Sequence, residues 1–588
     1  MSEILRVADS LRKSSDETLK RLLAERMINP SSLNDFFDLA EALTKPNSVA
    51  QVVAALPRRQ VEALQTISTG GQPDAEAAQE LLDHVLIDCI SKEPHQYQLF
   101  TFTQNALAEL PANSAEPLAL AAPTVSQKDI DRDAAVAIFE TLQAFTELIF
   151  DVEQRFIREV GKKSVGLPDL KRLATHLRKP NEYARAIYEF ANFAGLINLQ
   201  NSRWNLGSLA DSWLTWRPSQ RFKHLASTWR AAMGDASATE LLAALTPESA
   251  GKSLASSLRY AYPLADSTVS SKIQKLTDFA ELLGITAGSQ LSSWAKAVLK
   301  ADFDQAAEAV DDLLPQPQAR LICQADLSLI ALGPLPTDLE ILLRRFSDTE
   351  QIGIASTYRV SALSLSHGLE TGLTEGEIRE LLVSLSGKAL PQPLDYVIRE
   401  AVARFGRLTV SEYPANAAGY LSRISSADPI LLTSILNELK LKPFAIREAD
   451  DGTLASRFEA EVLYFGLREI GIAAVRVDAT GAVISPRAVS MTADVESKAN
   501  HVEDHIKKMR EADLRLGDSP DGDDVTRQIT LAIKNKAKIE ITIATADGTE
   551  IEYTLEPIGI ANGRLRAKDR KADIERTLPL ANITKVRL

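Results

Sequence analysis

Cysteine is nearly absent from this 588-residue chain. Cys89 and Cys323 stand far apart with no C-x-x-C, which excludes a disulfide framework and a cysteine-built zinc site. No apolar run approaches the ~18 residues that a membrane span needs. The opening stretch, "MSEILRVADSLRKSSDETLKRLLAE", is amphipathic and charged and lacks the apolar centre of a signal peptide. A cytoplasmic location without membrane contact is therefore expected. Aromatic residues make up only 6%, which speaks against a sequence-specific single-strand reader built on stacking. Positive charge is also in deficit: the formal net charge is −13. A molecule that coats nucleic acid with its whole surface is excluded, although a local basic patch is not.

Catalytic signatures are missing as well. A P-loop needs G-x-x-x-x-G-K-[ST], because backbone amides between the glycines wrap the phosphates and the lysine neutralises them. Gly251-Lys252-Ser253 has the right end, but Thr246 stands where the first glycine belongs. Gly161-Lys162-Lys163 has Phe156 at that place and a lysine where Ser or Thr is required. No helicase motor, catalytic constellation or cofactor is expected. His501 and His505 lie four apart in "HVEDHIKK" and would share a helix face, but no third ligand accompanies them, so no metal site is expected.

What is present is ordinary globular material, 45% hydrophobic and 25% charged, long enough for about four domains at roughly 150 residues each. Residues 1–110 read as a helical or winged-helix-like module, with stripes at Leu19, Leu22 and Leu23 and at Val49, Val52, Val53 and Leu56. Residues 111–127 are rich in Pro, Ala and Ser and read as a linker. From 128 to 235 a long helix carries an apolar seam at Ile138, Leu142, Phe145, Ile149, Val152 and Phe156. A second helix then places Leu167, Leu170, Leu173 and Leu177 on one face. A third buries Ile187, Phe190, Ala191 and Ala194, and the polar-tipped "NLQNSRWNL" reads as a β-wing. That order is a winged helix. Residues 236–315 form a helical connector, and Trp213, Trp229 and Trp294 are expected as packing anchors of the helical stretch from 208 to about 315.

At residue 320 the pattern changes. Leu321, Cys323, Ala325, Leu327 and Leu329 alternate with polar residues as one strand would, and a helix with a Thr337-x-x-Glu340 capping box follows. A further box, Thr374-x-x-Glu377, opens a helix that stops at Gly387. Residues 316–488 therefore read as an α+β domain. Residues 489–524 read as an exposed charged helix and an acidic linker. Residues 525–588 form a small β module, with Ile539, Ile541 and Ile543 alternating and turns at Asp547-Gly548 and Asn562-Gly563.

Three stretches carry resemblances. "CQADLSLIALGPL" and "STYRVSALSLSHGLETGLTEGEIRELLVSLSGKALPQPLDYVI" resemble the N-terminal domain of XPB-type helicases. Residues 130–490 as a whole, including "DFAELLGITAGSQLSSWAKAVLKADFDQAAEAVDDLLPQP", are similar to a helicase-associated family of actinobacterial type that lacks the motor. The C-terminal "AIKNKAKIEITI", "EPIGI" and "GRLRAKD" look like a WYL domain, a small Sm/SH3-like β-barrel. Arg564-Leu565-Arg566 replaces the Trp-Tyr-Leu that names that family, so its ligand recognition does not carry over. The expected fold class is multidomain and mostly α, with winged-helix modules, an XPB-N-terminal-like α+β domain and a C-terminal barrel.

The sharpest functional feature is "GRLRAKDRK". Arg564, Arg566, Lys568 and Arg570 alternate, so a strand points all four to one face. Residues 525–588 hold twelve Lys and Arg against eight Asp and Glu, +4 in a chain of −13. Such a row can contact successive phosphates through counterion release, or form an outer face paired cross-strand with Glu550 and Glu552. In the winged helix, Arg178, Lys179 and Arg185 near the third helix and Arg203 on the wing occupy places where such domains touch DNA. Arg344-Arg345 and Arg359 are further backbone-contact candidates, although Arg344-Arg345 also suits a helix C-terminus. The expected function is non-catalytic binding of DNA, with RNA as the alternative, beside a separately encoded XPB-type helicase in repair or transcription. The other reading is a WYL and winged-helix transcriptional regulator or an RNA polymerase-associated factor.

Overall fold

The computed structural model describes residues 3–92, 95–109, 125–161, 163–244, 254–288, 290–414, 419–484, 502–511, 525–526, 529–530, 532–533, 538–544, 550–569, 572 and 574–587. Two compact units emerge, one of residues 1–116, 259–271 and 493–588, the other of residues 117–258 and 272–492.

In the first unit, short helices follow one another because capping residues and prolines punctuate them. Ser15 accepts a hydrogen bond from the Thr18 amide at the start of Asp16–Glu25, and Asp35 accepts from Phe37 and Asp38 at the start of Phe36–Thr44. Leu19, Leu22 and Leu23 join one buried core with Phe36 and Leu39. Val49, Val52, Val53 and Leu56 join a second with Leu64 and Leu81. The segment 502–511 is helical, as expected, but it is not an exposed linker. Its Ile506 and Met509 are buried within the first of these cores. His505 Nε2 lies 2.8 Å from the Leu33 carbonyl, and Arg510 donates to Asp16 and to the carbonyls of Arg12 and Ser14.

The same unit carries an antiparallel sheet ordered Ile574–Pro579, Arg564–Asp569, Glu550–Ala561, Ile539–Ala544, Ile583–Arg587. Its last strand in sequence returns to pair with its first. Ile539, Ile541 and Ile543 face the core with Leu555, Leu565 and Ala567. Asn562 and Gly563, both at positive φ, form the tight turn into Arg564–Asp569. The Asp547-Gly548 turn lies outside the described residues.

The second unit is organised on the 28-residue helix Gln127–Gln154. Its seam is buried at Ile138, Leu142, Phe145, Ile149 and Val152, while Phe156 falls beyond the helix end. A sheet ordered Ser164–Val165, Ile157–Val160, Arg203–Leu206, Ile197–Gln200 flanks the helices Leu167–Leu177 and Asn181–Phe193. Leu167, expected on the buried face, is 53% exposed because it opens its helix ahead of the packed turns. Trp213, Trp229 and Trp294 are buried, and Trp213 packs edge-on against Phe145 at 5.6 Å.

Residues 321–331 form a hairpin, not the single strand that the alternation suggests. Leu321–Cys323 and Ser328–Ala331 pair antiparallel across a turn in which Leu327 takes φ +71° and the Asp326 carboxylate accepts from the Ser328 amide. The four-residue turn preserves the two-residue rhythm, which is why the pattern reads straight through it. The sheet continues through Thr357–Arg359 and Asp348–Gln351 and packs on helices Glu375–Ser386 and Gln392–Arg404. The Thr374–Glu377 capping box forms as read, with Gly387 as a left-handed cap. The Thr337–Glu340 box does not: Pro336 occupies the N-cap, so Thr337 already sits in the first turn. A second sheet, ordered Arg447–Glu448, Leu454–Ser456, Ser422–Ser426, Leu408–Glu412, Val475–Arg476, packs on helix Ala460–Glu469.

Candidate nucleic-acid interface

Along Arg564–Asp569 exposure alternates strictly. Arg564, Arg566 and Lys568 face solvent while Leu565, Ala567 and Asp569 are buried. Arg570 lies outside the described residues. The acids that neighbour this row are Glu575, opposite Lys568 on one side, and Glu556, opposite it on the other. Glu550 and Glu552, the alternative partners, lie on the same neighbouring strand as Glu556 but before its paired stretch begins at Leu555, at positions opposite Ala544 and Thr542 of the next strand. The Arg566 guanidinium donates to Glu575 at 2.7 and 3.0 Å, with both side chains more than half exposed. An ion pair in that much water contributes little, so a phosphate can compete for the arginine at small cost. Arg564 enters no ion pair among the described residues.

The second group of candidates separates. Arg178 closes Leu167–Leu177 in a left-handed conformation and points outward, as does Arg185 on Asn181–Phe193. Lys179 is half-buried, with Nζ 2.6 Å from Glu140 and 5.5 Å from the Tyr183 ring centroid. Arg203 is not at the wing tip, which Asn201 and Ser202 form at positive φ. It turns inward, 2.7 Å from Glu461 and stacked on Phe156 at 4.6 Å and Phe465 at 5.1 Å. That expectation is corrected: a guanidinium with 13% exposure, held between two rings and a carboxylate, is a packing group. Arg344 takes the helix C-terminus, the second of its two readings, and its side chain is not free for a phosphate. It is buried, 2.6 Å from Glu147, with its guanidinium over the Phe150 ring. Arg359 is engaged by Glu350, by Ser328 and by the Asp326 carbonyl.

A cleft of about 730 Å³ runs beside Asn181–Phe193, lined by Lys163, Arg185, Glu189, Asn192, Phe193 and Lys275 over buried aromatic rings. Lys163, Phe193 and Lys275 were not legible as site residues. Lys275 reaches Glu189 at 2.7 Å from a helix that sequence alone does not place there. Among the described residues, no group of three or more His, Cys, Asp and Glu side chains is placed to hold a metal ion. No helix among them is long and apolar enough to cross a membrane.

One comparison with known proteins places a helicase likeness within the α+β region. Residues 321–450 match the family model described as "Helicase conserved C-terminal domain". A stretch of 98 residues is 33% identical to "DNA 3'-5' helicase XPB" of Mycobacterium tuberculosis, covering 17% of this chain and 17% of that protein. The chain thus aligns with about a sixth of its curated relative. Both findings connect it with helicases, and the matched family's description refers to a C-terminal domain where the sequence reading looks to a helicase N-terminus.

Proposed function

We propose that this protein is a non-catalytic nucleic-acid-binding partner of a separately encoded XPB-type helicase. The observation that carries the reading is the helicase-related match over 321–450, reinforced by the short XPB similarity. Two features support a role without a motor. The sequence offers no complete P-loop, since Thr246 and Phe156 occupy the two places where a first glycine would stand. Among the described residues only one strand pair, Leu408–Glu412 with Val475–Arg476, is parallel. Strand-loop-helix nucleotide sites favour parallel βαβ sheets, and the two sheets of this region are otherwise antiparallel.

In this reading, residues 128–235 work as a winged-helix-like module that presents Arg178 and Arg185. The sheet of 525–588 works as a small Sm/SH3-like platform that presents Arg564, Arg566 and Lys568. DNA is the expected polymer. The test is capture of the full chain from native lysate, with and without nuclease. Recovery of an XPB-type helicase under both conditions supports the reading; recovery of RNA polymerase in its place overturns it in favour of a transcription regulator.

A further inference from the structure

The outer face of helix Asn181–Phe193 is the surface on which a winged helix would lie in a DNA groove, and here a neighbouring helix reaches part of it. Glu189 holds Lys275 at 2.7 Å, above a buried stack of Phe190 on Phe279 at 4.3 Å. Lys275 and Phe279 come from one neighbouring helix, which packs against the C-terminal half of Asn181–Phe193. What this packing leaves is the cleft of about 730 Å³ between the two helices, within the ordinary range of ligand sites at roughly 300–1,000 Å³.

The lining has a particular chemistry. Arg185 and Lys163 are exposed and enter no ion pair among the described residues. Other cations of this module are already neutralised, among them Arg172 by Asp151 and Asp169, Lys179 by Glu140 and Arg203 by Glu461. Phe193 is 46% exposed on the same lining, next to the Asn192 amide. One acid, Glu189, is present, and Lys275 answers it. Uncompensated cations beside an open aromatic ring suit a ligand with a flat π-face and an attached anion.

We propose that this cleft takes one unpaired nucleotide of a single strand, its base against Phe193 and its phosphate between Arg185 and Lys163. The inference rests on the nucleic-acid-binding reading and deepens it. The protein would engage a frayed or displaced strand at this module while the basic strand Arg564–Asp569 holds backbone elsewhere. Recognition is by stacking and charge, so it is tolerant of base identity.

The test measures fluorescence anisotropy of the full chain with a labelled oligo-dT and with a hairpin duplex of equal phosphate number, at low ionic strength. The expected result is that Phe193→Ala weakens oligo-dT binding about tenfold, the usual scale for one stacked base, and leaves the duplex unchanged. Phe193→Leu, which keeps apolar contact with Phe190, should reproduce the loss if the alanine variant folds poorly. Arg185→Ser should lower oligo-dT affinity and its salt dependence together. If the parent chain binds neither probe, the nucleic-acid reading itself fails. If it binds both and the two Phe193 variants leave oligo-dT affinity unchanged, or weaken both probes equally, the cleft proposal alone is overturned.

Discussion

Glu147, in the C-terminal half of the helix Gln127–Gln154, meets Arg344 at 2.6 Å with both side chains sealed from solvent, and His176 closes on the same carboxylate at 2.9 Å. Burial on its own would push this carboxyl up. The Arg344 charge and the His176 contact outweigh burial and hold it below the ordinary carboxylate range. The helicase-matching region is thereby keyed to the long helix by a buried charge pair.

Removing one partner strands the other. Arg344→Met should cost about 3–5 kcal/mol, because Glu147 is left charged and buried, whereas Glu147→Leu with Arg344→Met should recover most of the loss. Denaturant unfolding of the full chain checks both. Additive losses in the double variant would contradict the pairing.

Acid should act through the same pair. Because the folded-state pKa of Glu147 lies below its unfolded value near 4.5, its contribution is present above that pH and is lost as pH falls through the folded value. Glu370 runs the other way: burial pushes it up against the opposing Arg468 charge, so its contribution declines as pH rises above about 4.5. Thermal unfolding between pH 3 and 6 should therefore show a flatter acid limb for Glu147→Gln than for the parent. Parallel limbs would rule out Glu147 as a source of the acid sensitivity.

The helix at 502–511 should matter to the N-terminal module. Met509 and Ile506 are buried there, so Met509→Ala should destabilise that module by roughly 2–5 kcal/mol. Limited proteolysis of helices Glu3–Lys13 and Phe36–Thr44 is the readout. Protection unchanged from the parent would return this helix to the status of a linker.

Replacing Arg564, Arg566 and Lys568 together by serine should weaken binding to all sequences alike. On duplex DNA the slope of log affinity against log salt should become shallower by about 0.9 for each phosphate that the variant no longer neutralises. The same experiment with Arg203→Ser should leave the slope unchanged, since that side chain is spent on Glu461 and two phenylalanines.

Local chemistry was the legible part of this molecule. The Thr374–Glu377 box, the Asn562-Gly563 turn, the seam from Ile138 to Val152 and the outward row at Arg564, Arg566 and Lys568 each depend on residues within a few positions of one another. What failed depends on distance. Arg203 finds Glu461, Glu147 finds Arg344, and Met509 finds a core assembled almost five hundred residues earlier. The cleft was invisible for the same reason, because Lys275 and Glu189 become neighbours only through the packing of Phe279 on Phe190. The hairpin at 321–331 failed locally: a turn of even length leaves alternation intact, and only Asp326 hints at it.

The most direct measurement is ATP hydrolysis on DNA by an XPB-type helicase from the same cell, with and without this chain, beside the chain alone. The account predicts no turnover by the chain itself and a raised helicase rate when the two are mixed. ATP hydrolysis by the isolated chain, or a helicase indifferent to its addition, would contradict it.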